Sequence, residues 1–367
     1  MRSFFRLAFV RLAVAAGFAV AGSSLAFAQS APSLPTKEGD YIVKNFKFSD
    51  GETLDTLRLH YTTLGTPMRD KSGRVTNAVL IMHGTGGSGH QFLRPQFSGV
   101  LFVPGGLLDI KKYYIILPDD IGHGKSSKPS DGMRASFPQY GYEDMVNAEH
   151  ELVTKGLNVN HLRLVMGTSM GCMHSFMWGE MWPDMMDALM PLACEPTQIA
   201  GRNRMWRKMT IDAIRNDPAW DNGNYKTQPL MGLRVAVDML LIAGSAPQQM
   251  QKDLPTRDDA DKYLADKTAS YFSELDANDF LYQVGSSRDY DPSAKLEAIK
   301  APTMWVNSAD DFINPPYLGI AEGLAARNPH IKYVVIPVSM QTHGHGTHTW
   351  AAVWQARMAE LLKESQH

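Results

Sequence analysis

The hydrophobic residues of this chain fall mainly into short runs, and between many of these runs apolar residues recur every three or four positions. Short apolar runs are typical of strands buried on both faces of a parallel sheet, and the longer periodic stretches are typical of helices. Alternation of the two, with helical patterns at Gly141–Lys155 and Met170–Trp182, predicts an α/β fold with a mostly parallel sheet. Eight strands are predicted, at Tyr41–Phe48, Thr56–Thr62, Ala78–His83, Tyr113–Pro118, Leu162–Gly167, Ala188–Ala193, Thr303–Asn307 and Lys332–Pro337.

The strand–helix alternation stops in one segment, residues 196–292. We interpret this segment as a helical lid, since insertions of this kind exclude water and shape a substrate pocket. The lid divides the core domain into residues 40–195 and 293–367. Its predicted helices are Arg202–Arg215, Leu230–Gly244, Arg257–Glu274 and Asp276–Ser286.

The N-terminus has the layout of a secretory signal peptide: a basic start, the apolar stretch Leu12–Val20 and the small-residue site Ala26-Phe27-Ala28. We expect cleavage after Ala28, which makes residues 1–28 the signal peptide and residues 29–39 a flexible lead-in rich in Pro and Ser. The expected location is therefore periplasmic or secreted. No later apolar run is long enough to span a bilayer, so we expect no membrane span after signal removal.

Composition narrows the function further. Of 367 residues, 44% are hydrophobic and 20% are charged, which is typical of a folded globular protein rather than a disordered one. The net charge of −2 gives no basic surface for nucleic acid. The two cysteines, Cys172 and Cys194, are too few for a disulfide scaffold or a four-cysteine zinc site. Whether they form a bridge stays open at this stage.

The segment Gly167–Gly171 reads Gly-Thr-Ser-Met-Gly and matches the G-x-S-x-G pattern. It follows a predicted strand and opens a predicted helix, which is the context that this motif requires. A sharp turn there holds the serine hydroxyl at the carboxyl edge of the sheet, and the helix N-terminus favours developing negative charge. We therefore predict Ser169 as a catalytic nucleophile.

A serine hydroxyl needs a base and an orienting carboxylate, which in folds with this motif follow later in the chain. Asp310 and Asp311 both follow a predicted strand, and Asp311 is preferred because it lies four residues before Pro315. For the base we prefer His345, which follows a glycine and precedes the last predicted helix. His343 and His348 are the alternatives, and a metal site built from the three histidines is disfavoured by their spacing.

The intermediate of acyl transfer carries an oxyanion, which two backbone N–H groups can stabilise. We predict the N–H of Met170 as one donor and that of Thr85 as the other. Thr85 lies in the glycine-rich loop His83–Gly87, where His83 is expected to hold the loop by hydrogen bonds. The segment Asp119–Ser126 is interpreted as a structural turn.

Several segments carry a resemblance to a known family. They are Gly167–Gly171, Ala213–Trp220, Gly223-Asn224-Tyr225, Gly232-Leu233, Asp276-Ala277-Asn278, Asp311 before Pro315-Pro316, and Gly344-His345. Together they resemble the α/β-hydrolase fold and, within it, the homoserine O-acetyltransferase family. The resemblance implies an eight-stranded hydrolase core with a lid and a triad of Ser169, Asp311 and His345. Members of that family carry a substrate-binding arginine at the place of Ile211, and here Arg207 and Lys208 lie about one turn earlier.

Three functions follow from these observations. The leading hypothesis is an exported serine hydrolase that cleaves a small-molecule carboxylic ester through an acyl-enzyme. The second is O-acyl transfer to an acceptor such as homoserine by the same triad, and the third is a non-catalytic binding protein. We predict no metal site and no cofactor-binding residue. We also expect no nucleic-acid partner, and whether the protein forms a homodimer stays open.

Overall fold

The computed structural model of the chain describes residues 34–366. The predicted signal peptide, residues 1–28, and the first five residues of the predicted lead-in lie outside the described residues. Each of the eight predicted strands is present. They are β1 (Lys37–Lys47), β2 (Thr53–Leu64), β3 (Ala78–Met82), β4 (Tyr114–Pro118), β5 (Leu164–Thr168), β6 (Leu189–Leu192), β7 (Thr303–Ser308) and β8 (Ile331–Ile336).

The strands form one sheet in the order β1-β2-β4-β3-β5-β6-β7-β8. Strand β2 is antiparallel to both of its neighbours, and every pair from β4 to β8 is parallel. The predicted mostly parallel, eight-stranded sheet is therefore confirmed. Since the central strands run in the same direction, the loops at their carboxyl ends meet at one edge, where sites of α/β proteins are built.

The helices divide between the two faces of the sheet and the predicted lid segment. Between β6 and β7 the described chain contains helices and no strand. The helices are α1 (Pro95–Leu101), α2 (Tyr142–Glu151), α3 (Met170–Met181), α4 (Gly201–Arg215), α5 (Leu230–Gly244), α6 (Pro247–Asp253), α7 (Arg257–Glu274), α8 (Ala277–Gly285), α9 (Ile320–Ala325) and α10 (Ala351–Glu364).

The central strands are buried on both faces, as their continuous apolar runs predict. Every residue of β3, β4 and β5 is buried. In β3 the side chains of Val79 and Ile81 join a core with Trp354 of α10, whereas Leu80 and Met82 join a core with Trp178 of α3. This alternation follows from the two-residue period of a strand. Burial on both faces anchors the strand ends that carry the site.

The first strand begins earlier than predicted. Lys37 pairs with Thr63, so the last three residues of the predicted lead-in belong to β1, and the boundary at residue 39 is wrong. The added residues are mostly exposed, because β1 lies at the edge of the sheet. A polar edge strand held by backbone hydrogen bonds lacks the apolar signal from which strands are predicted.

Helix α6 is also absent from the prediction. Its sequence after Pro247 is mainly polar, so no apolar stripe indicates a helix there. Helices α5 and α6, taken together across a bend of 103°, have the length and apolar composition of a membrane span. No single helix within residues 34–366 meets that criterion.

Cys172 and Cys194 form a disulfide bond. Cys172 lies in the first turn of α3 and Cys194 follows β6, and their Cα atoms are 5.8 Å apart. Both residues are fully buried. The bond joins α3 to the end of the neighbouring strand β6, a proximity that depends on packing between elements and cannot be read from sequence spacing.

Candidate active site

Ser169 lies in the tight turn between β5 and α3. Its backbone has φ 55° and ψ −108°, a conformation that residues other than glycine rarely adopt. The flanking glycines make this turn possible, because a Cβ atom at Gly167 would overlap the Gly171 carbonyl oxygen and one at Gly171 would overlap the Met82 carbonyl oxygen. The motif thus places the Ser169 hydroxyl at the carboxyl edge of the sheet in a conformation held by packing.

Three predicted side chains meet at this edge. His345 Nε2 lies 2.8 Å from Ser169 Oγ, and His345 Nδ1 lies 2.9 Å and 3.0 Å from the two carboxylate oxygens of Asp311. Asp311 is 3% exposed and His345 is 7% exposed. The carboxylate accepts from Nδ1–H, which leaves Nε2 with the lone pair that can accept the serine proton.

Asp311 is held in place by its own loop. The backbone N–H groups of Ile313 and Asn314 donate to Asp311 Oδ1 at 2.7 Å and 3.1 Å. These bonds satisfy a carboxylate that would otherwise be buried at high cost. The side chain is therefore fixed in the orientation that aligns the imidazole.

Asp310, the alternative acid, has a different position. Its Oδ2 accepts hydrogen bonds from the Thr342 hydroxyl at 2.9 Å and from the Gly344 backbone N–H at 3.1 Å. The Ser308 hydroxyl also donates to its carboxylate. Asp310 therefore ties the loop after β7 to the loop that carries His345. No sequence signal indicates this role, because Thr342 and Gly344 are more than 30 residues away along the chain.

The two alternative histidines point elsewhere. The His343 ring stacks on Trp350 with centroids 3.9 Å apart. His348 is buried against the catalytic-site imidazole, with its ring edge-to-face to that of His345 at 5.2 Å. Burial lowers the pKa of His348 well below its usual range, so it stays neutral beside His345.

The glycine-rich loop after β3 approaches the serine closely. A Cβ atom on Gly84 would lie 3.3 Å from Ser169 Cβ, a tight contact that glycine avoids. His83 Nδ1 donates to the Gly84 carbonyl at 2.9 Å, and the Gly171 N–H donates to the His83 carbonyl at 2.9 Å. The predicted restraint of this loop by His83 is therefore confirmed, and Thr85 follows directly in it.

Comparison with known proteins agrees with this geometry. A family model described as the alpha/beta hydrolase fold matches residues 77–339, more than half of the chain. The chain belongs to the α/β-hydrolase family. It is an enzyme of the esterase or acyltransferase kind, which removes the non-catalytic alternative. The matched segment contains both Ser169 and Asp311 and ends just before His345.

Relatives of this α/β-hydrolase include acyltransferases. A homoserine O-acetyltransferase of Methanosalsum zhilinae is 28% identical over 335 residues, covering 80% of this chain and 66% of that one. The chain thus spans just under two thirds of the length of that relative.

Two solved structures share the fold of this α/β-hydrolase. A homoserine O-acetyltransferase from Bacillus anthracis has a TM-score of 0.78 at 21% identity, covering 89% of this chain and 97% of its own. An acetylester hydrolase from Corynebacterium glutamicum has a TM-score of 0.76 at 22% identity, covering 89% and 95%. Identities this low show a shared fold.

The turn after β4 lies next to the candidate site and is held by hydrogen bonds. Asp119 Oδ1 accepts the Gly89 N–H at 2.8 Å and its Oδ2 accepts the Lys125 N–H at 2.8 Å, while the Ser126 hydroxyl donates to the Asp119 carbonyl at 2.6 Å. These bonds close the segment Asp119–Ser126 into a rigid turn. The predicted structural role of this segment is confirmed.

Helix α4 brings an arginine to the interface between lid and core. Arg207 is 2% exposed, and it donates to Asn203 Oδ1 at 3.0 Å and to Ser287 Oγ at 3.1 Å. No ion pair joins it to a carboxylate within residues 34–366. Burial lowers its pKa, and the neighbouring Tyr142 opposes that shift. A buried guanidinium without an acidic partner is costly, and here the guanidinium lies over the Trp206 ring, 4.8 Å from its centroid.

Tyr142 is a buried neighbour of both this arginine and Thr85 of the glycine-rich loop. Burial raises the pKa of the Tyr142 hydroxyl, and the nearby charge of Arg207 and the Ser287 and Thr85 hydroxyls oppose that rise. The Tyr142 and Thr85 hydroxyls are both buried and make no hydrogen bond of ordinary geometry to the described residues. Ile211, at the place where the homoserine O-acetyltransferase family carries its substrate-binding arginine, packs into the apolar core.

A cavity of about 330 Å³ lies between the lid and the loop after β7. Its walls include Met173, Glu195, Asn203 and Asn314. Burial, and after it the charge of Asp311, raise the pKa of Glu195 to about 7. Near neutral pH this carboxyl therefore takes up a proton readily, which limits its repulsion of Asp311.

Proposed function

We propose that this protein is an exported serine hydrolase that cleaves a carboxylic ester through an acyl-enzyme. The observation that carries the proposal is the continuous hydrogen-bonded chain from the Ser169 hydroxyl through His345 to Asp311. Such a chain activates a hydroxyl that is otherwise a weak nucleophile. The proposal is supported by a structural neighbour that is named an acetylester hydrolase.

Each residue of the chain has a defined task. His345 takes the proton of Ser169 as the oxygen attacks the ester carbon, and returns it to the departing alcohol. Asp311 keeps Nδ1 protonated and stabilises the imidazolium that forms. The N–H groups of Met170 and Thr85 are the proposed donors to the oxyanion, since Met170 opens α3 and the first N–H groups of a helix have no intrahelical acceptor. Water then attacks the acyl-enzyme by the reverse sequence.

Export is supported by two features. The first 28 residues have the pattern of a secretory signal, and disulfides such as Cys172–Cys194 persist in oxidising compartments rather than in the cytosol. We accordingly propose a periplasmic or secreted location.

The protein recovered from its native host is expected to begin at Gln29 and to contain no free thiol. Reduction is expected to lower the free energy of unfolding by about 3 kcal/mol, because the bridge closes a loop of roughly 20 residues in the unfolded chain. Intact mass, a thiol assay and urea unfolding with and without dithiothreitol measure these outcomes. The control is the Cys172→Ser/Cys194→Ser double variant, whose unfolding dithiothreitol is expected to leave unchanged. Retention of Met1 or two titratable thiols in the native protein contradicts export.

Acyl transfer is the second candidate, favoured by Arg207. Its guanidinium pairs with no carboxylate of residues 34–366, and such a charge at the lid–core interface suits an acceptor or substrate that carries a carboxylate. The relatives named homoserine O-acetyltransferase transfer an acyl group to such a molecule. The two candidates differ only in whether water or an alcohol reaches the acyl-enzyme.

Product partition separates the candidates. With acetyl-CoA as donor we expect release of CoA that does not depend on homoserine, and faster turnover of a neutral ester such as p-nitrophenyl acetate. Fast homoserine-dependent release of CoA would reject the hydrolase proposal. In that case Arg207→Met is expected to lower kcat/KM for homoserine by about 10- to 100-fold, the value of a charged hydrogen bond, with neutral-ester hydrolysis unchanged. Lys208→Met, on the exposed side of α4, is the matched control.

A further inference from the structure

A second cluster of titratable side chains lies beneath the proposed site. It consists of Asp120 after β4, Glu149 of α2 and His174 of α3, each no more than 2% exposed. One donor or acceptor atom from each lies within 4.8 Å of the others. None of the three takes part in the proposed catalytic chain, although α3 begins at the nucleophile.

The hydrogen bonds of this cluster involve Glu149 and do not include the carboxyl group of Asp120. Trp178 Nε1–H donates to Glu149 Oε2 at 2.7 Å, and His174 Nδ1 lies 3.0 Å from Glu149 Oε1. Both carboxyl oxygens of Asp120 are buried without a hydrogen-bond partner of ordinary geometry among the described residues. An ionised carboxylate in that position would be an unpaired buried charge, which costs several kcal/mol.

The groups that face Asp120 do not supply a compensating cation. They are Glu149, His174, His83 from the loop after β3, and Tyr140 from the segment before α2. No lysine or arginine in the described part of the chain is among them. Burial and then the charge of Glu149 raise the pKa of Asp120 well above its usual range, and burial raises that of Glu149 and lowers that of His174. All three shifts favour fewer charges.

We propose that Asp120 is a protonated acid that shares its proton with the Glu149 carboxylate, and that this pair is a positioning element for the oxyanion loop. The pair then carries a single negative charge, which Trp178 N–H and His174 N–H stabilise on Glu149. This inference rests on the proposed function only in its kinetic part, since the protonation state is a property of the folded protein.

His83 links the acid pair to the loop. Its Nε2 accepts the Asp120 backbone N–H at 3.1 Å, while its Nδ1–H donates to the Gly84 carbonyl at 2.9 Å. Both bonds exist together only if His83 is neutral and protonated on Nδ1. The neighbouring His123, with its ring 5.0 Å from that of His83, is buried and its pKa is well below the usual range.

The shared proton protects this arrangement. Asp120 Oδ2 lies only 3.7 Å from His83 Nε2. A charged Asp120 would attract a proton to Nε2, and Nε2 could then no longer accept the Asp120 N–H. The restraint on Gly84, and with it the position of the Thr85 N–H, would be lost. A neutral Asp120 avoids this because it directs its proton to Glu149.

A divalent cation is the alternative way to neutralise two carboxyl groups. Zinc in a structural site takes four ligands. The cluster supplies three donor atoms, and both ring nitrogens of the adjacent His83 already have partners. The geometry therefore favours a proton over a metal ion.

The decisive experiment combines infrared spectroscopy with kinetics on the full-length mature protein. At pH 7 to 8 the wild-type spectrum is expected to contain a C=O stretching band of a buried protonated carboxyl, and Asp120→Asn is expected to lose it. Asparagine is neutral and its amide N–H can donate to Glu149, so kcat/KM of this variant is expected to stay within about threefold of wild type. In Asp120→Ala, kcat is expected to fall by about 10- to 100-fold with KM unchanged, somewhat less than the loss of a whole oxyanion donor.

Three results would overturn the proposal. They are absence of the infrared band, an Asp120→Asn variant as impaired as Asp120→Ala, and one equivalent of divalent metal in the wild-type protein that Asp120→Asn no longer holds. If Asp120→Ala does not fold, the band in the wild type and in Asp120→Asn still decides the question. If the wild type turns over no ester, the proposed function fails, while the spectra still test the shared proton.

Discussion

Substitution of Ser169 by alanine is expected to reduce kcat for ester hydrolysis by about 10⁵- to 10⁶-fold, to the level left by binding and the oxyanion donors alone. The reason is that the covalent intermediate cannot form without the hydroxyl that lies 2.8 Å from His345 Nε2. KM for a simple ester and the thermal unfolding temperature are expected to change little, since among residues 34–366 the hydroxyl forms this one bond. Labelling of the protein by a fluorophosphonate probe is expected to disappear.

The control for this variant is Ser72→Ala, which changes a serine in an exposed turn. It is expected to keep wild-type turnover and full labelling. Labelling that survives in Ser169→Ala would show that another residue is the nucleophile.

Substitution of Asp311 by asparagine is expected to lower kcat by about 10⁴-fold while the fold persists. An asparagine amide has nearly the same shape but donates hydrogen bonds, so it favours the imidazole tautomer with its proton on Nε2. That tautomer cannot accept the Ser169 proton. Steady-state kinetics across pH, together with circular dichroism to verify folding, measure the effect.

Asp310→Asn is the matched control, because it changes the adjacent carboxylate in the same way. Asp310 contacts Thr342 and the Gly344 backbone rather than the imidazole. We expect a decrease in kcat of about tenfold or less from a looser His345 loop, the range of one lost hydrogen bond. If the two variants exchange these effects, Asp310 rather than Asp311 is the acid.

Much of the fold could be predicted from the sequence because it depends on local signals. The apolar runs of β3 to β7 and the periodic stretches of the lid identified those elements to within about two residues. Among the elements that were misplaced or not predicted, the first residues of β1 and helix α6 are polar segments. They are held by backbone pairing or by neighbours, so no apolar pattern marks them.

The site was predictable to the extent that its residues sit in motifs. Ser169 is specified by a glycine-flanked turn whose steric need is local. Choosing Asp311 over Asp310, or His345 over His343 and His348, rested on spacing, and only the folded chain places one acid and one histidine in line with the serine. The pairs that no motif marks, Cys172 with Cys194 and Asp120 with Glu149, are formed by contacts between distant elements.

The sequence by itself determined the order of strands and helices, the turn that presents the nucleophile, and the residue types available for proton transfer. The tertiary structure decided which carboxylate faces the imidazole, that the two cysteines meet, and that Arg207 is buried with no acidic partner from the described part of the chain. The physical reason is the distance along the chain over which each interaction acts. Steric and periodic signals act over a few residues, whereas hydrogen-bond partnership and burial of charge depend on which distant segments pack together.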